Sequence, residues 1–402
     1  MFNECASGVT AAKGFLAAGV HSGVKKFKKD LALLFSTTPA VAAGVFTTSR
    51  VQAAPVLVSK CQMKDTSSFR AIIVNSGNAN ACTGKRGLND AWRMVEVTAG
   101  ALGVRRDEVL VSSTGIIGQY LPMEKVLSGI PRAATQLSRD AHRDAAEAIT
   151  TTDTFLKEFA VRMNLGGVDV SIGGMAKGSG MIAPNMATML AFVTTDVNIA
   201  PSLLSRSLKL ACDRSFNRIT VDGDTSTNDM VLLLANGLAG NKVLEDERDS
   251  DYAVFYKVLE YVLTRLSKMI VMDGEGATKF IEIEVIRAVS EDIAVRAAKA
   301  IANSNLVKTA LHGEDANWGR ILAAIGYSGI EFNPADVEIS FGDVPILQQN
   351  YTIGFSEEEA KRVLSEKEIK ITVSLHQGNH AASYWTCDLS REYVSINANY
   401  RS

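Results

Sequence analysis

The sequence predicts an α+β fold, a layered helix–sheet sandwich with antiparallel and mixed sheets. Two observations carry this. Segments of strand and helix periodicity alternate along the whole chain, and several strand segments keep one polar face. A doubly wound parallel sheet buries both faces of its strands, so half-polar strands point to sheets covered by helices on one side.

The elements follow in order. Ala71–Val74 is a short apolar run closed by the turn-rich Asn75–Asn80, and Val41–Phe46 carries small and β-branched residues. A helix is expected after Asn89, with Trp92, Met94 and Val95 on one face. Val109–Val111 reads as a buried strand, and Ala134–Ile149 as a helix. Val168, Val170 and Ile172 alternate with polar residues, as a strand does. Pro201 opens a helix with Leu204, Leu208 and Ala211 at helical spacing, and Tyr252–Ile270 is a longer one. Ile281, Ile283 and Val285 form a second half-polar strand, and Ile369, Ile371, Val373 and Leu375 a third. Ser356 and Glu359 fit a capping box before the helix holding Val363 and Leu364.

The 402 residues suffice for two or three structural units. A formal charge of −2 gives no global field to recruit nucleic acid or an anionic membrane, and the local run Lys25–Lys29 reads as solvated surface. The five cysteines, Cys5, Cys61, Cys82, Cys212 and Cys387, are odd in number and scattered. That pattern supports neither a disulfide framework nor a zinc motif and fits a reducing cytoplasm. No stretch has the length of a signal peptide core or a membrane span, so a cytoplasmic protein is expected.

The chemistry concentrates in Lys177-Gly178-Ser179-Gly180-Met181-Ile182-Ala183-Pro184-Asn185-Met186-Ala187-Thr188-Met189-Leu190. A Gly- and Pro-punctuated loop here enters the apolar run Met189–Val193, which reads as a buried strand. Cleavage between Ala187 and Thr188 would make Thr188 a chain terminus whose own amine can take its hydroxyl proton. That amine has a reference pKa of about 7.7–8.0, near working pH. Thr114-Gly115, at the end of a strand, can supply an oxyanion stabiliser from a hydroxyl and a glycine N–H. Lys177 can pair with a substrate carboxylate, and Glu275, in Asp-Gly-Glu-Gly, can hold a substrate ammonium.

Other chemistries lack support. His376 and His380 lie in a turn rather than on a helix, so no metal site is expected. Gly178-Ser179-Gly180 does not continue as a helix, which a hydrolase elbow requires. The glycine-rich segments match neither a P-loop nor a dinucleotide fingerprint, and Asp222-Gly223-Asp224-Thr225 lacks EF-hand spacing.

The stretch around Thr188 resembles the self-cleavage motif of the ornithine acetyltransferase family, bifunctional glutamate N-acetyltransferases and amino-acid acetyltransferases. The resemblance runs from Gly8–Phe15 to the last residue. It includes Asn75–Gly84, Ser112–Gly118, Thr151–Thr154, Asp273–Lys279, Asp315–Arg320 and Tyr393–Ser402. It implies cleavage of Ala187–Thr188, giving an α chain of residues 1–187 and a β chain of residues 188–402, assembled as α2β2. It implies Thr188 as nucleophile, Thr114 and Gly115 as oxyanion hole, and Thr151, Lys177, Thr188, Glu275, Asn397 and Ser402 as substrate contacts. The implied reaction is ping-pong transfer of acetyl from N2-acetylornithine to L-glutamate in arginine biosynthesis, with no metal or organic cofactor. Acetyl-CoA is a further possible acetyl donor. One departure is Asn399, where the family commonly has an acidic residue. The alternative is a self-processing N-terminal-nucleophile aminopeptidase or amidase, in which water replaces glutamate.

Overall fold

The computed structural model describes residues 2–183 and 189–399, which divide into two compact units. The first takes in the chain as far as Asn217 and then Asp224–Ile270. Its strands are β1 (Phe2–Cys5), β2 (Phe15–Val20), β3 (Leu31–Phe46), β4 (Phe69–Asn78), β5 (Val109–Ile116), β6 (Lys157–Leu165), β7 (Val168–Lys177), β8 (Leu190–Thr195) and β9 (Met230–Ala235). They hydrogen-bond in the order β1-β6-β7-β8-β9-β3-β4-β5, with β2 also on β3. The pairs β4/β5 and β8/β9 are parallel and the others antiparallel, so the sheet is mixed as expected.

Strand β3 serves both halves of this sheet. Leu31–Phe35 pairs with β4, Val41–Phe46 pairs with β9, and the register breaks between Phe35 and Ala40 around Pro39. Period-two alternation sends neighbouring residues into different cores. Leu31, Leu33, Ala71, Ile73, Val109 and Val111 join one cluster, with Met94, Val95, Val126 and Ile130 of the helices α2 and α3 described below. Ala32, Leu34, Ile72, Val74 and Leu110 join the other, with Phe192, Leu232 and Leu234. Both faces of these strands are therefore buried, which explains why Ala71–Val74 is apolar throughout.

The helices of this unit are α1 (Ala54–Asp65), α2 (Gly84–Leu102), α3 (Met123–Thr135), α4 (His142–Ile149), α5 (Pro201–Arg214) and α6 (Ser250–Met272, which runs on to its boundary). Pro201 sits in the first turn of α5, as expected. The helix expected over Ala134–Ile149 is instead two. Helix α3 stops at Thr135, because Ser138 exchanges backbone hydrogen bonds with Ala17 of β2 at 2.9 and 3.0 Å. The helix expected after Asn89 starts earlier, at Gly84.

The second unit comprises Arg218–Gly223 and the chain from Val271 on. Its strands are β10 (Phe280–Ala288), β11 (Glu338–Phe341), β12 (Val344–Gln348), β13 (Thr352–Ile353), β14 (Glu368–Ser374) and β15 (His380–Cys387). They form one sheet in the order β13-β12-β11-β14-β10-β15, parallel only between β10 and β14. Its helices are α7 (Glu291–Ala302), α8 (Asn305–His312), α9 (Trp318–Gly326), α10 (Glu357–Leu364) and α11 (Arg391–Asn399). Ile281, Ile283, Val285, Ile369, Ile371 and Val373 face a core with residues of α7 to α10, while Lys370 pairs with Glu284 at 2.9 Å on the opposite face. The half-polar strands β10 and β14 are thus half-buried, whereas β7 is buried on both faces from Val170 on. The capping box forms, with Glu359 N–H donating to Ser356 Oγ at 3.1 Å.

Candidate active site

Sheet pairing brings four strand ends of the first unit together. The C-terminal end of β7 meets the N-terminal end of β8, since Lys177 opposes Leu190. Strand β9 starts beside β8, with Leu190 opposite Met230, and β3 ends there, with Phe46 opposite Met230. Lys177, Met189, Asp229 and Thr47 therefore share one edge. Asn228 ties this edge to β4 and β5, its Nδ2 donating to Ala79 O at 2.6 Å and to Ser113 O at 2.8 Å.

Thr114 and Gly115 lie near the C-terminal end of β5, and the structure brings Thr114 to Lys177. The Lys177 ammonium donates to Thr114 Oγ1 at 3.4 Å, and both side chains are buried. Gly115 has φ +129°, and a Cβ there would meet backbone atoms of Gly77 and Asn78 at 2.4 and 2.5 Å. Only glycine lets the parallel β4 and β5 approach this closely.

Asp153 connects Thr151 with the Lys177–Gly178 turn. Its Oδ2 accepts from Thr151 N–H at 2.9 Å, and its Oδ1 from Gly178 N–H at 2.8 Å and Lys157 Nζ at 2.6 Å. Burial alone would raise this carboxyl, but the Lys157 and Lys177 ammoniums and the Gly178 N–H outweigh it and hold Asp153 well below the usual carboxylate range. Its contribution to stability is complete above the unfolded value of about 3.9 and is lost as pH falls through the lower folded value. The Asp153–Lys157 pair is fully shielded from solvent. Lys157→Met should therefore cost about 3–5 kcal/mol in a denaturant titration, because it leaves a buried carboxylate short of a partner. A cost below about 0.5 kcal/mol, as for a surface substitution, would show that the pair does not support the site.

Sequence reasoning missed Asp229, although it binds Met189, the residue that follows the predicted nucleophile in the chain. Its Oδ1 accepts from Met189 N–H at 2.7 Å. Burial pushes its carboxyl well above the usual range, against the Met189 N–H and the Lys177 ammonium. Asp229 ends a polar stretch, Asp222–Asp229, that reads as a loop, so only its position before the apolar Met230–Ala235 hinted at burial. Asp153 was equally hidden. The i, i+4 spacing to Lys157 was the available signal, but Lys157 lies in β6, not on a helix.

Glu275 and Asn397 meet within the second unit. Asn397 Nδ2 donates to Glu275 Oε2 at 2.9 Å. Gly276, at φ +69°, lets this turn close onto the start of α11, where a Cβ would lie 2.5 Å from Tyr393 N. Helix α11 has no buried residue, and Asn399 donates to Ser395 O at 2.9 Å. Ala187, Thr188 and Ser402 lie outside the described residues, as does Arg401. Among the described residues no cluster of His, Cys, Asp or Glu could hold a metal ion, and no helix is long and apolar enough to cross a membrane.

A hydroxyl beside a glycine at one strand end, a buried ammonium within reach, and a second strand starting alongside are parts that acyl transfer uses. The chain belongs to the ArgJ family, whose model matches residues 16–402. It is similar to the arginine biosynthesis bifunctional protein ArgJ of Symbiobacterium thermophilum, with 52% identity over 400 residues and 99% of each chain covered. The ArgJ protein of Bacillus licheniformis is 52% identical over 394 residues, covering 98% of this chain and 96% of that one. Among solved structures, the arginine biosynthesis bifunctional protein argJ from Bacillus halodurans matches with a TM-score of 0.52 and 51% identity. That match covers 53% of this chain and 100% of the solved one.

Proposed function

We propose that this chain is a glutamate N-acetyltransferase of arginine biosynthesis, working through an acyl-threonine at Thr188. Its membership of the ArgJ family carries the class of reaction. The observation that carries the site is the buried Lys177–Thr114 contact, with Lys177 paired to Leu190 at the start of β8. In turnover the Thr188 hydroxyl attacks the acetyl carbon of N2-acetylornithine, and the Thr188 amine takes the hydroxyl proton. Thr114 and Gly115 hold the oxyanion. The C–N bond breaks, and ornithine leaves with that proton. The glutamate amine then attacks the acyl carbon, the bond from that carbon to the Thr188 oxygen breaks, the amine's proton passes to that oxygen, and N-acetylglutamate departs. Thr151 and Lys177 contact the substrate. Glu275 and Asn397 take the ornithine ammonium, with Ser402 completing the substrate contacts.

Cleavage of Ala187–Thr188 precedes turnover and gives chains 1–187 and 188–402. The pairing of β7 with β8, from Lys177–Leu190 to Ile172–Thr195, would hold the two chains together after the cut. Residues 188–402 are 215 of the 402, a share of 53%, and the solved Bacillus halodurans chain covers a share of the same size. The cleaved chains assemble as α2β2 in the cytoplasm, with no metal or organic cofactor in the cycle. The relatives carry the name bifunctional, and the second activity proposed for this chain is acetyl transfer from acetyl-CoA through the same threonine.

The test is an assay with N2-acetylornithine and glutamate and no other acetyl source. Stoichiometric N-acetylglutamate and ornithine are expected. Acetate in place of N-acetylglutamate would assign the chain to an amidase instead. A parallel assay with acetyl-CoA as sole donor decides the second activity.

A further inference from the structure

Donor and acceptor of the proposed cycle carry opposite side-chain charges. N2-acetylornithine has one carboxylate and a side-chain ammonium, whereas L-glutamate has two carboxylates. Lys177 can take the carboxylate that both possess. Glu275, which takes the ornithine ammonium, is itself a carboxylate and repels a second one. Selecting glutamate therefore requires a further cation, because a carboxylate taken out of water without a partner is costly.

The loop between β2 and β3 supplies one. Lys26, Phe27 and Lys28 are exposed there, as the charge run suggested, but Lys25 is half-buried. Its stem lies over Gly77, where a Cβ would come within 2.9 Å of Lys25 Cγ. Gly77 is the β4 residue paired with Gly115. The Lys25 ammonium donates to Thr150 O at 2.9 Å. The Thr150 carbonyl carbon is bonded to Thr151 N, so the ammonium lies within about 5 Å of that nitrogen. Lys25 thus reaches from the strand end that carries Gly115 to the segment that carries Thr151.

The Thr150 carbonyl is the one hydrogen-bond partner of this ammonium among the described residues, which leaves two N–H bonds to give. The carboxylates nearby are committed elsewhere. Asp30, itself buried, accepts the backbone N–H groups of Ser22, Gly23 and Lys25 at 2.6, 3.0 and 2.9 Å, which fixes the loop. Asp153 accepts from Thr151, Lys157 and Gly178, and Glu147 pairs with Lys29 at 3.6 Å. Burial pushes the Lys25 ammonium down to about 8, against the pull of Asp30. A half-buried cation on a fixed loop, with no counterion of its own, is prepared to receive an anion.

We propose that Lys25 binds the side-chain carboxylate of glutamate and so determines which amino acid accepts the acetyl group. The inference rests on the proposed transfer from N2-acetylornithine to glutamate. Donor and acceptor then have separate countercharges, Glu275 for the ornithine ammonium and Lys25 for the second carboxylate of glutamate, with Lys177 serving both.

Lys25→Met keeps a stem to cover Gly77 and removes the charge. Glutamate and glutamine, which differ in that one carboxylate, are compared as acceptors at saturating N2-acetylornithine. The parent should prefer glutamate by about 10²-fold or more in kcat/KM, and the variant should lose most of that preference through a higher KM for glutamate. The rate of the first ornithine release should fall far less, because the donor has no second carboxylate. A role confined to holding the loop predicts otherwise: donor release and both acceptors would slow alike and the preference would persist. That result would overturn the proposal, as would a parent that does not distinguish the two acceptors. Thermal melts verify folding, and Lys25→Gln guards against a misfolded Met variant. It should show the same loss, and a parental preference in either folded variant would refute the role of Lys25 alone. A parent that forms no N-acetylglutamate from N2-acetylornithine would overturn the reaction together with this role.

Discussion

Thr188→Ala is expected to remain a single 43.1 kDa chain and to transfer no acetyl group. In the proposed mechanism the substitution removes the oxygen that attacks the Ala187 carbonyl, which is also the later acyl acceptor. An enzyme that loses its nucleophile falls to a residual rate set by binding and oxyanion stabilisation, about 10⁶-fold below the parent. Thr188→Ser keeps a hydroxyl and should retain cleavage and part of the activity. The two variants together distinguish loss of the oxygen from loss of side-chain shape. The checks are a denaturing gel for cleavage and product formation for transfer.

Gly115→Ala should produce the second largest loss. Its Cβ would be forced to within 2.5 Å of the backbone of Gly77 and Asn78, and φ +129° is a conformation that alanine avoids. Backbone cannot yield as a flexible side chain does, so β5 must shift relative to β4. Thr114 moves with it, away from Lys177. Displacing an oxyanion donor costs about 10²–10³ in kcat, and the strained conformation costs about 1–3 kcal/mol of stability. The expected signature is a fall in kcat with KM for N2-acetylornithine little changed, together with a lower Tm. Thr114→Ala should share the kcat loss without the drop in Tm, since no backbone clash arises there. A Gly115→Ala enzyme with unchanged kcat would remove this pair from the oxyanion site.

Much of the fold was legible in the sequence because its signals are local. Val168, Val170 and Ile172 alternate as a strand must, Pro201 opens α5, and Ser356 with Glu359 caps α10. The break after Thr135 was not legible, because its cause is a pairing between Ser138 and Ala17, far apart in sequence. The same reason hides the double service of β3. Only Val41–Phe46 stood out in the sequence, yet the strand begins at Leu31 and changes partner from β4 to β9 past Pro39.

The site divides in the same way. Thr114, Gly115 and Lys177 were visible as residue types at strand ends, and the structure places Lys177 on Thr114. Thr151 reaches that cluster through Asp153, while Glu275 and Asn397 meet in the second unit. Asp153 and Asp229 were illegible, because an aspartate in a polar stretch reads as solvated. What makes each one special is burial against lysines or a backbone N–H contributed from elsewhere in the chain.

The central claim is that an active molecule carries a threonine at a new chain terminus. N-terminal sequencing of a fully active preparation, with intact mass measured on the same sample, tests it most directly. Two chains are expected, one beginning at Met1 and the other at Thr188. A fully active sample that yields only Met1 and one 43.1 kDa mass would contradict it.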